Sequence, residues 1–377
     1  MSLQDMPGQA AGDVRAPGDQ VRLTPEHLKE IEGWATGVDL TQGKPRDAEL
    51  RAVEYQSAIN DVQRTVSPDG EIKRGQHAKG LYATNNGEIS FASNLPSSLQ
   101  AGPVQAGAKY RIVARFSNAA DRVVEDVEGD RRGLALSIVG PDGRSQDMLF
   151  TTGASKFLAK NAEEAMAAAV VSAARSDGRL ATGRALVEFG FRIGFKDALR
   201  LLLEAKTTED SGLSIAGLML FSRTPYTLGE HVVKLRLFPM QLGGTPPDPD
   251  LGKDMAARRE LDDVSYQLEA MDGSKTMEDA RQGDGPWVPI GHLRFPQQPV
   301  NEARDSSVLR EMETRRFSPF QRWDDGDDRA LLPVGSVNWA RKAIYDASAK
   351  LRGSVGPAAA CPFNSEIGAA SPPKPPE

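Results

Sequence analysis

The strongest constraint on the fold is a stretch of strict alternation at residues 110–117. One face would carry only apolar or aromatic side chains, namely Tyr110, Ile112, Ala114 and Phe116. The other face would carry Arg111, Val113, Arg115 and Ser117. Such a period of two is typical of a β-strand with one face on a core. Because successive strands can pair through short turns, this strand favours an antiparallel sheet.

Further strands are predicted at 133–139, 148–151, 230–238 and 287–294, and helices at 46–65, 161–206, 300–316 and 337–352. Strands and helices follow one another without regular βαβ units, so the order indicates an α+β protein. Asn85-Asn86-Gly87 predicts the turn of a hairpin within 81–91. Residues 243–254 are rich in Pro, Gly and Asp, which predicts a loop.

Composition limits the functions that the chain can have. The 377 residues carry a formal net charge of -6, which argues against a nucleic-acid partner. No run of eighteen apolar residues predicts a membrane span, and residues 1–20 hold no apolar segment typical of a secretory signal. We therefore expect a cytoplasmic protein with a disordered segment at 1–20, one domain at 21–353 and a Pro-rich tail at 354–377.

The helix predicted at 337–352 carries an unusual polar face. At about 100° per residue, Arg341 lies about 40° from Tyr345 and Arg352 about 20° from it, whereas the apolar stripe is centred about 120° away. Ser336 is the predicted N-cap, and Gly353 follows the end. Two cations beside a phenol favour its ionised form, and a tyrosinate can ligate haem iron. The alternative is an ordinary amphipathic-helix tyrosine with its hydroxyl at the rim.

His77 is the most informative of the four histidines. It lies in a basic stretch between Gly75 and Gly80, at the entrance to a predicted strand. The alternative is a surface-loop histidine without a function. The other three histidines have no second ligand at metal spacing, so we expect neither a zinc nor a di-iron site. The acidic run at 324–328 lacks the spacing of an EF-hand and indicates a solvated turn.

Four motifs together resemble the haem catalases. They occur in the family's order: Arg74-x-x-His77-Ala-Lys-Gly80, Val113-Ala-Arg115-Phe-Ser117, Arg132-Gly-Leu-Ala-Leu-Ser137 and Arg341-x-x-x-Tyr345, with Arg352 correctly spaced after the tyrosine. The resemblance covers about residues 24–353 and is greatest to the small catalase-related peroxidases. It implies an antiparallel eight-stranded β-barrel with surrounding helices and buried haem b.

The resemblance also implies roles for individual residues. Tyr345 would be the proximal iron ligand, and Arg341 would keep its phenolate ionised. His77 would be the distal general acid and base, oriented by Ser117. The haem propionates would meet three arginines, Arg74, Arg115 and Arg352. Peroxide would then be reduced through a ferryl intermediate, with a small molecule as reductant.

Two departures from the family pattern widen the range of functions. Catalases carry a distal asparagine, but residues 147–154 contain none; a threonine would stand in, or the position would be Gly153. Gln76 precedes His77 where a small apolar residue is usual, and related proteins with a polar residue there isomerise or dehydrate fatty-acid hydroperoxides. A non-enzymatic haem-binding barrel and a protein without haem remain as alternatives. We expect no NADPH site, and a homodimer is left open.

Overall fold

The computed structural model describes residues 21–41, 72–166 except 128, and 213–354 except 242, 247, 324 and 325, with scattered positions at 56–64 and 183–198. The expectations for 1–20 and for the tail after 354 lie outside these residues, as does most of the helices predicted at 46–65 and 161–206.

Bounds are defined for ten strands and four α-helices. The strands are β1 (Gly80–Phe91), β2 (Lys109–Asn118), β3 (Arg132–Val139), β4 (Ser145–Thr151), β5 (Leu220–Phe221), β6 (Tyr226–Leu228), β7 (His231–Pro239), β8 (Val264–Asp272), β9 (Val288–Phe295) and β10 (Ala330–Pro333). The helices are α1 (Pro25–Glu32), α2 (Leu251–Leu261), α3 (Glu302–Thr314) and α4 (Ser336–Leu351). None of these helices is long and apolar enough to cross a bilayer.

Eight of the strands close into a barrel. Their order is β7-β5-β4-β3-β2-β1-β9-β8, and β8 pairs back onto β7. Every pairing is antiparallel. Strands β6 and β10 extend the sheet beside the first residues of β7. The predicted eight-stranded antiparallel barrel with surrounding helices is therefore confirmed.

The core fills the barrel interior. Ile112, Ala114 and Phe116 of β2 all lie in it, as the alternation predicts. The opposite face of β2 is also buried, because Val113 packs with Met312 of α3 and with Phe317. Helix α3 therefore covers the outer face of the barrel beside β2, and polar residues on that face are shielded from solvent.

Two predictions of turns and caps are wrong. Residues 80–91 form one strand and not a hairpin, because 85–86 make a bulge: the register with β2 shifts between Thr84 and Gly87. A side chain at Gly87 would lie 2.6 Å from Ile112 Cγ1, so this glycine serves close packing. Ser336 is the first residue of α4 and not its cap; the cap is Gly335, and the Ser336 hydroxyl accepts a hydrogen bond from Ala162 N.

Helix α2 begins within residues 243–254, which are predicted as a loop, and β8 follows it without having been predicted. Helix α2 begins after Asp250, whose side chain accepts hydrogen bonds from Gly252 N and Lys253 N. It shows little apolar periodicity because its buried face includes Asp254 and Arg259. Strand β8, in contrast, does alternate, and its inward residues Val264, Tyr266, Leu268 and Ala270 are all buried.

Candidate functional site

His77 lies on the outer face of the barrel, where β2 ends and β3 begins. Its Nδ1 is 3.0 Å from Ser117 Oγ, and its backbone amide donates to Ala119 O at 3.1 Å. Gly133 pairs with Ser117 across the sheet. A Cβ atom at Gly133 would overlap the Cε1 and Nδ1 atoms of the imidazole. The imidazole therefore packs directly on the backbone of Gly133. Because Nδ1 is engaged with Ser117, Nε2 is the ring nitrogen that can face a ligand.

Arg115 links this histidine to helix α3. Its Nη2 donates to the His77 carbonyl oxygen at 2.9 Å. Its Nε and Nη2 also donate to the two carboxylate oxygens of Glu313, at 3.0 and 3.1 Å. Because Arg115 is 2% exposed, this bidentate pair supplies a counter-charge to a cation that is removed from water.

Arg74 and Arg352 complete a group of cations around Arg115. Nη2 of Arg74 donates to the carbonyls of Met312 and Arg315, both at 2.8 Å, where α3 ends. Its Nε lies 3.7 Å from the Glu313 carboxylate. Arg352 is the C-cap of α4. We call Arg74, Arg115 and Arg352 the arginine cluster.

Charges within the cluster alter one another's protonation. Burial, followed by the charges of Arg115 and Arg352, lowers the pKa of Arg74. Burial and the charge of Arg115 lower the pKa of Arg352 to about 10. Glu313 raises the pKa of each of the three arginines, but one carboxylate does not balance three cations. The arginine cluster is therefore suited to an anionic ligand.

The same field acts on His77. Burial is the largest cause and the charges of Arg115, Arg341 and Arg74 add to it, lowering the pKa of the imidazole from 6.5 to about 3. The imidazole is neutral at physiological pH as a result. A neutral imidazole can accept a proton, which a distal base requires.

Arg341 and Tyr345 form a pair one turn apart on α4. Nη2 of Arg341 donates to Tyr345 Oη at 2.9 Å, and its guanidinium lies 5.4 Å from the centre of the phenol ring. Nη1 donates to Thr224 Oγ1 and to Asn338 Oδ1, both at 3.1 Å. Burial disfavours the charge of Arg341, but Tyr345 and Tyr226 raise its pKa overall. The arginine is thus a fixed donor to the phenol oxygen.

Arg352, at the C-cap of α4, lies within the field of Arg115 and Arg74. The predicted apolar stripe describes only half of the helix. Leu351, at its end, is 49% exposed, whereas Ser348 and Ala349 are buried. In the second half of α4, the buried face is therefore the one that bears Tyr345.

The two departures from the family pattern have defined places. Thr152 Oγ1 accepts a hydrogen bond from Arg132 N at 2.9 Å, and Thr151 Oγ1 donates to Arg132 O at 3.1 Å. Both threonine hydroxyls are therefore engaged with backbone. Gly153 has a φ of 108° and offers no side chain. Gln76 is exposed, next to the partly buried His77.

Several residues of the site were not predicted. Glu313, Gly133, Thr224 and Asn338 all contact a predicted residue, and Tyr226 lies within the field of Arg341 and Tyr345. Tyr226 is 1% exposed, and burial raises the pKa of its phenol. Asn338 had a local signal, because its i,i+3 spacing places it beside Arg341, and Gly133 lies within the motif that begins at Arg132. The others depend on contacts between distant segments.

No protein-family profile matches this chain, and no curated protein sequence does. Solved structures do match. A fungal catalase superposes with a TM-score of 0.51 at 13% identity, covering 78% of this chain and 60% of that catalase. Catalase A from Saccharomyces cerevisiae gives a TM-score of 0.52 at 12% identity, with 79% and 65% covered. The chain has a catalase-like fold and spans less than two thirds of the length of either protein.

Proposed function

We propose that this chain is a haem-dependent, catalase-related peroxidase that reduces hydrogen peroxide or organic hydroperoxides with a small reducing co-substrate. The Arg341–Tyr345 hydrogen bond of 2.9 Å is the observation that carries the proposal. Such a donor stabilises a phenolate, and a phenolate is a known haem ligand. A catalase-like barrel that also holds His77 against Ser117 supports the same conclusion.

The residues present fit haem b. The arginine cluster carries more positive charge than Glu313 balances, which suits two propionates. Nε of Arg352 is buried and has no hydrogen-bond partner among the residues that the structure describes. Tyr345 would bind the iron, and Arg74, Arg115 and Arg352 would hold the propionates. Haem, when bound, supplies the iron and the electrons with which the O–O bond of a peroxide is cleaved.

The chain's own residues would move the proton. Nδ1 of His77 is engaged with Ser117 Oγ, so Nε2 would take the proton from the inner oxygen of the peroxide. The same nitrogen would return that proton to the outer oxygen, which leaves as water or alcohol. General acid–base help of this kind contributes about 10²–10⁴ in rate. Ser117 would hold the ring in orientation throughout.

We favour reduction by an external co-substrate over disproportionation because residues 147–154 contain no asparagine. Thr151 Oγ1 already donates to Arg132 O, whereas Thr152 Oγ1 accepts from Arg132 N and keeps its own proton. The rival, a hydroperoxide isomerase or dehydratase, rests on the polar Gln76 beside His77. A non-enzymatic haem-binding barrel is the remaining alternative. We also propose one haem domain at 21–353, a cytoplasmic location and a homodimer as the assembly to test.

Haem titration followed by peroxide addition tests the proposal. The full-length protein should gain a Soret band with one equivalent of haem, and peroxide should oxidise a reporter dye. His77→Ala should keep the band and slow the reaction by about 10² or more. Rearranged lipid hydroperoxide instead of oxidised dye would indicate an isomerase. Absence of a Soret band would refute the proposal.

A further inference from the structure

Glu313 occupies a position that neither the fold nor the proposed chemistry explains. It is the penultimate residue of α3, and its side chain is 36% exposed. Its carboxylate lies against β1, where a Cβ atom at Gly80 would overlap Oε1. The glycine therefore lets the carboxylate reach past β1 to Arg115. An ion pair formed at the protein surface would not require a glycine in the neighbouring strand.

The pair fixes the direction of the Arg115 guanidinium. Two parallel hydrogen bonds to a carboxylate define the plane of the fork, which a single bond does not. The nitrogen that completes the pair, Nη2, is the one that donates to the His77 carbonyl. Nη1 makes no hydrogen bond to any of the described residues, so it can donate one to an anionic ligand. Glu313 thus leaves one edge of Arg115 for His77 and another for a ligand.

His77 needs this support because its backbone is strained. Its φ is 60°, in the left-handed region that few non-glycine residues adopt. Such a conformation costs on the order of 1–3 kcal/mol and persists only when the surroundings impose it. Two hydrogen bonds hold this conformation. The His77 amide donates to Ala119 O, and the His77 carbonyl accepts from Arg115 Nη2. The second depends on the position of the guanidinium.

We propose that Glu313 is a positioning residue for His77. By pairing with Arg115 it holds the guanidinium on the His77 carbonyl, and it thereby keeps the imidazole on Gly133 beside Ser117. The same contact connects the anion-binding cluster to the distal base. This inference rests on the proposed peroxide chemistry, but the contact itself can be tested without haem.

The test is Glu313→Gln, with Glu302→Gln at the exposed start of α3 as the matched control. In the haem-free full-length protein, hydrogen exchange of peptides covering 72–80 should accelerate about tenfold in Glu313→Gln only, since a hydrogen bond to a charged group is weakened. In the haem-loaded protein, the peroxide reaction should slow about tenfold. Haem affinity should be unchanged or higher, because the cluster gains positive charge.

A double-mutant cycle separates positioning from general damage. Glu313→Gln should cause no further slowing in a His77→Ala background. Equal slowing in both backgrounds, or unchanged exchange in 72–80, would overturn the inference. If Glu313→Gln fails to fold by circular dichroism, Glu313→Asp keeps the charge but shortens the reach, and the same outcomes apply. If no Soret band forms, the proposed function fails, and the exchange result alone decides the role of Glu313.

Discussion

Gly133→Ala is the most specific perturbation of the site around His77, because its effect can be worked from one contact. The added methyl would overlap the His77 imidazole and lie 3.0 Å from Ser117 Oγ. Carbon contacts are normally about 3.5–4.0 Å, so the ring must retreat by about 1 Å. A displacement of this size can cost about 10²-fold in rate, and the overpacking about 1–3 kcal/mol of stability.

Gly87→Ala is the matched control. Its Cβ would lie 2.6 Å from Ile112 Cγ1 and 3.0 Å from Phe295 Cδ1, inside the barrel and away from His77. Both variants should unfold at lower denaturant concentration than the wild type. Stopped-flow reaction with peroxide should slow about 10²-fold only in Gly133→Ala. A haem-loaded Gly133→Ala protein that reacts at the wild-type rate would refute the placement of the distal base.

Three further predictions address charge. Arg74→Met should raise the pKa of His77 from about 3, because it leaves the burial of the imidazole in place but removes one of the cations that add to its effect; histidine NMR titration that finds no rise would contradict this. Arg352→Met should weaken haem binding about tenfold or more in a Soret titration, whereas the exposed Lys350→Met should not. Burial raises the pKa of Asp147 to about 6, so the folded state binds its proton more tightly and stability falls as pH rises from about 4 to 6. Asp147→Asn should remove up to about 3 kcal/mol of that dependence in urea unfolding at several pH values; an unchanged slope would disprove the shift.

Strand β2 could be predicted from the sequence, whereas the continuity of β1, the two-residue β5 and the alternating β8 could not. Strand β2 was predicted because its inner face is uniformly apolar and its outer face bears Arg115 and Ser117. A hairpin is predicted within 81–91 because Asn85-Asn86-Gly87 suits a turn, but these residues form a bulge in the continuous strand β1, where Asn86 Oδ1 accepts a hydrogen bond from Arg259 Nη2. The two-residue β5 is too short to leave any pattern.

The candidate site divides in the same way. Arg341 and Tyr345 lie four residues apart on one helix, so their contact follows from helical geometry alone. His77 and Ser117 were associated only through the family resemblance, because forty residues separate them along the chain. Glu313 lies 198 residues from Arg115 and belongs to no motif, so only the packing of α3 on the barrel reveals it.

The optical and resonance Raman spectra of haem-loaded wild type and Tyr345→Phe test the central claim most directly. We predict phenolate vibrations in the ferric wild-type protein, and their loss in the variant together with a shifted or absent Soret band. The hydrogen bond from Arg341 leads us to expect the same loss of phenolate character, in weaker form, in Arg341→Met. A wild-type spectrum without phenolate bands, or one that Tyr345→Phe leaves unchanged, would contradict the account.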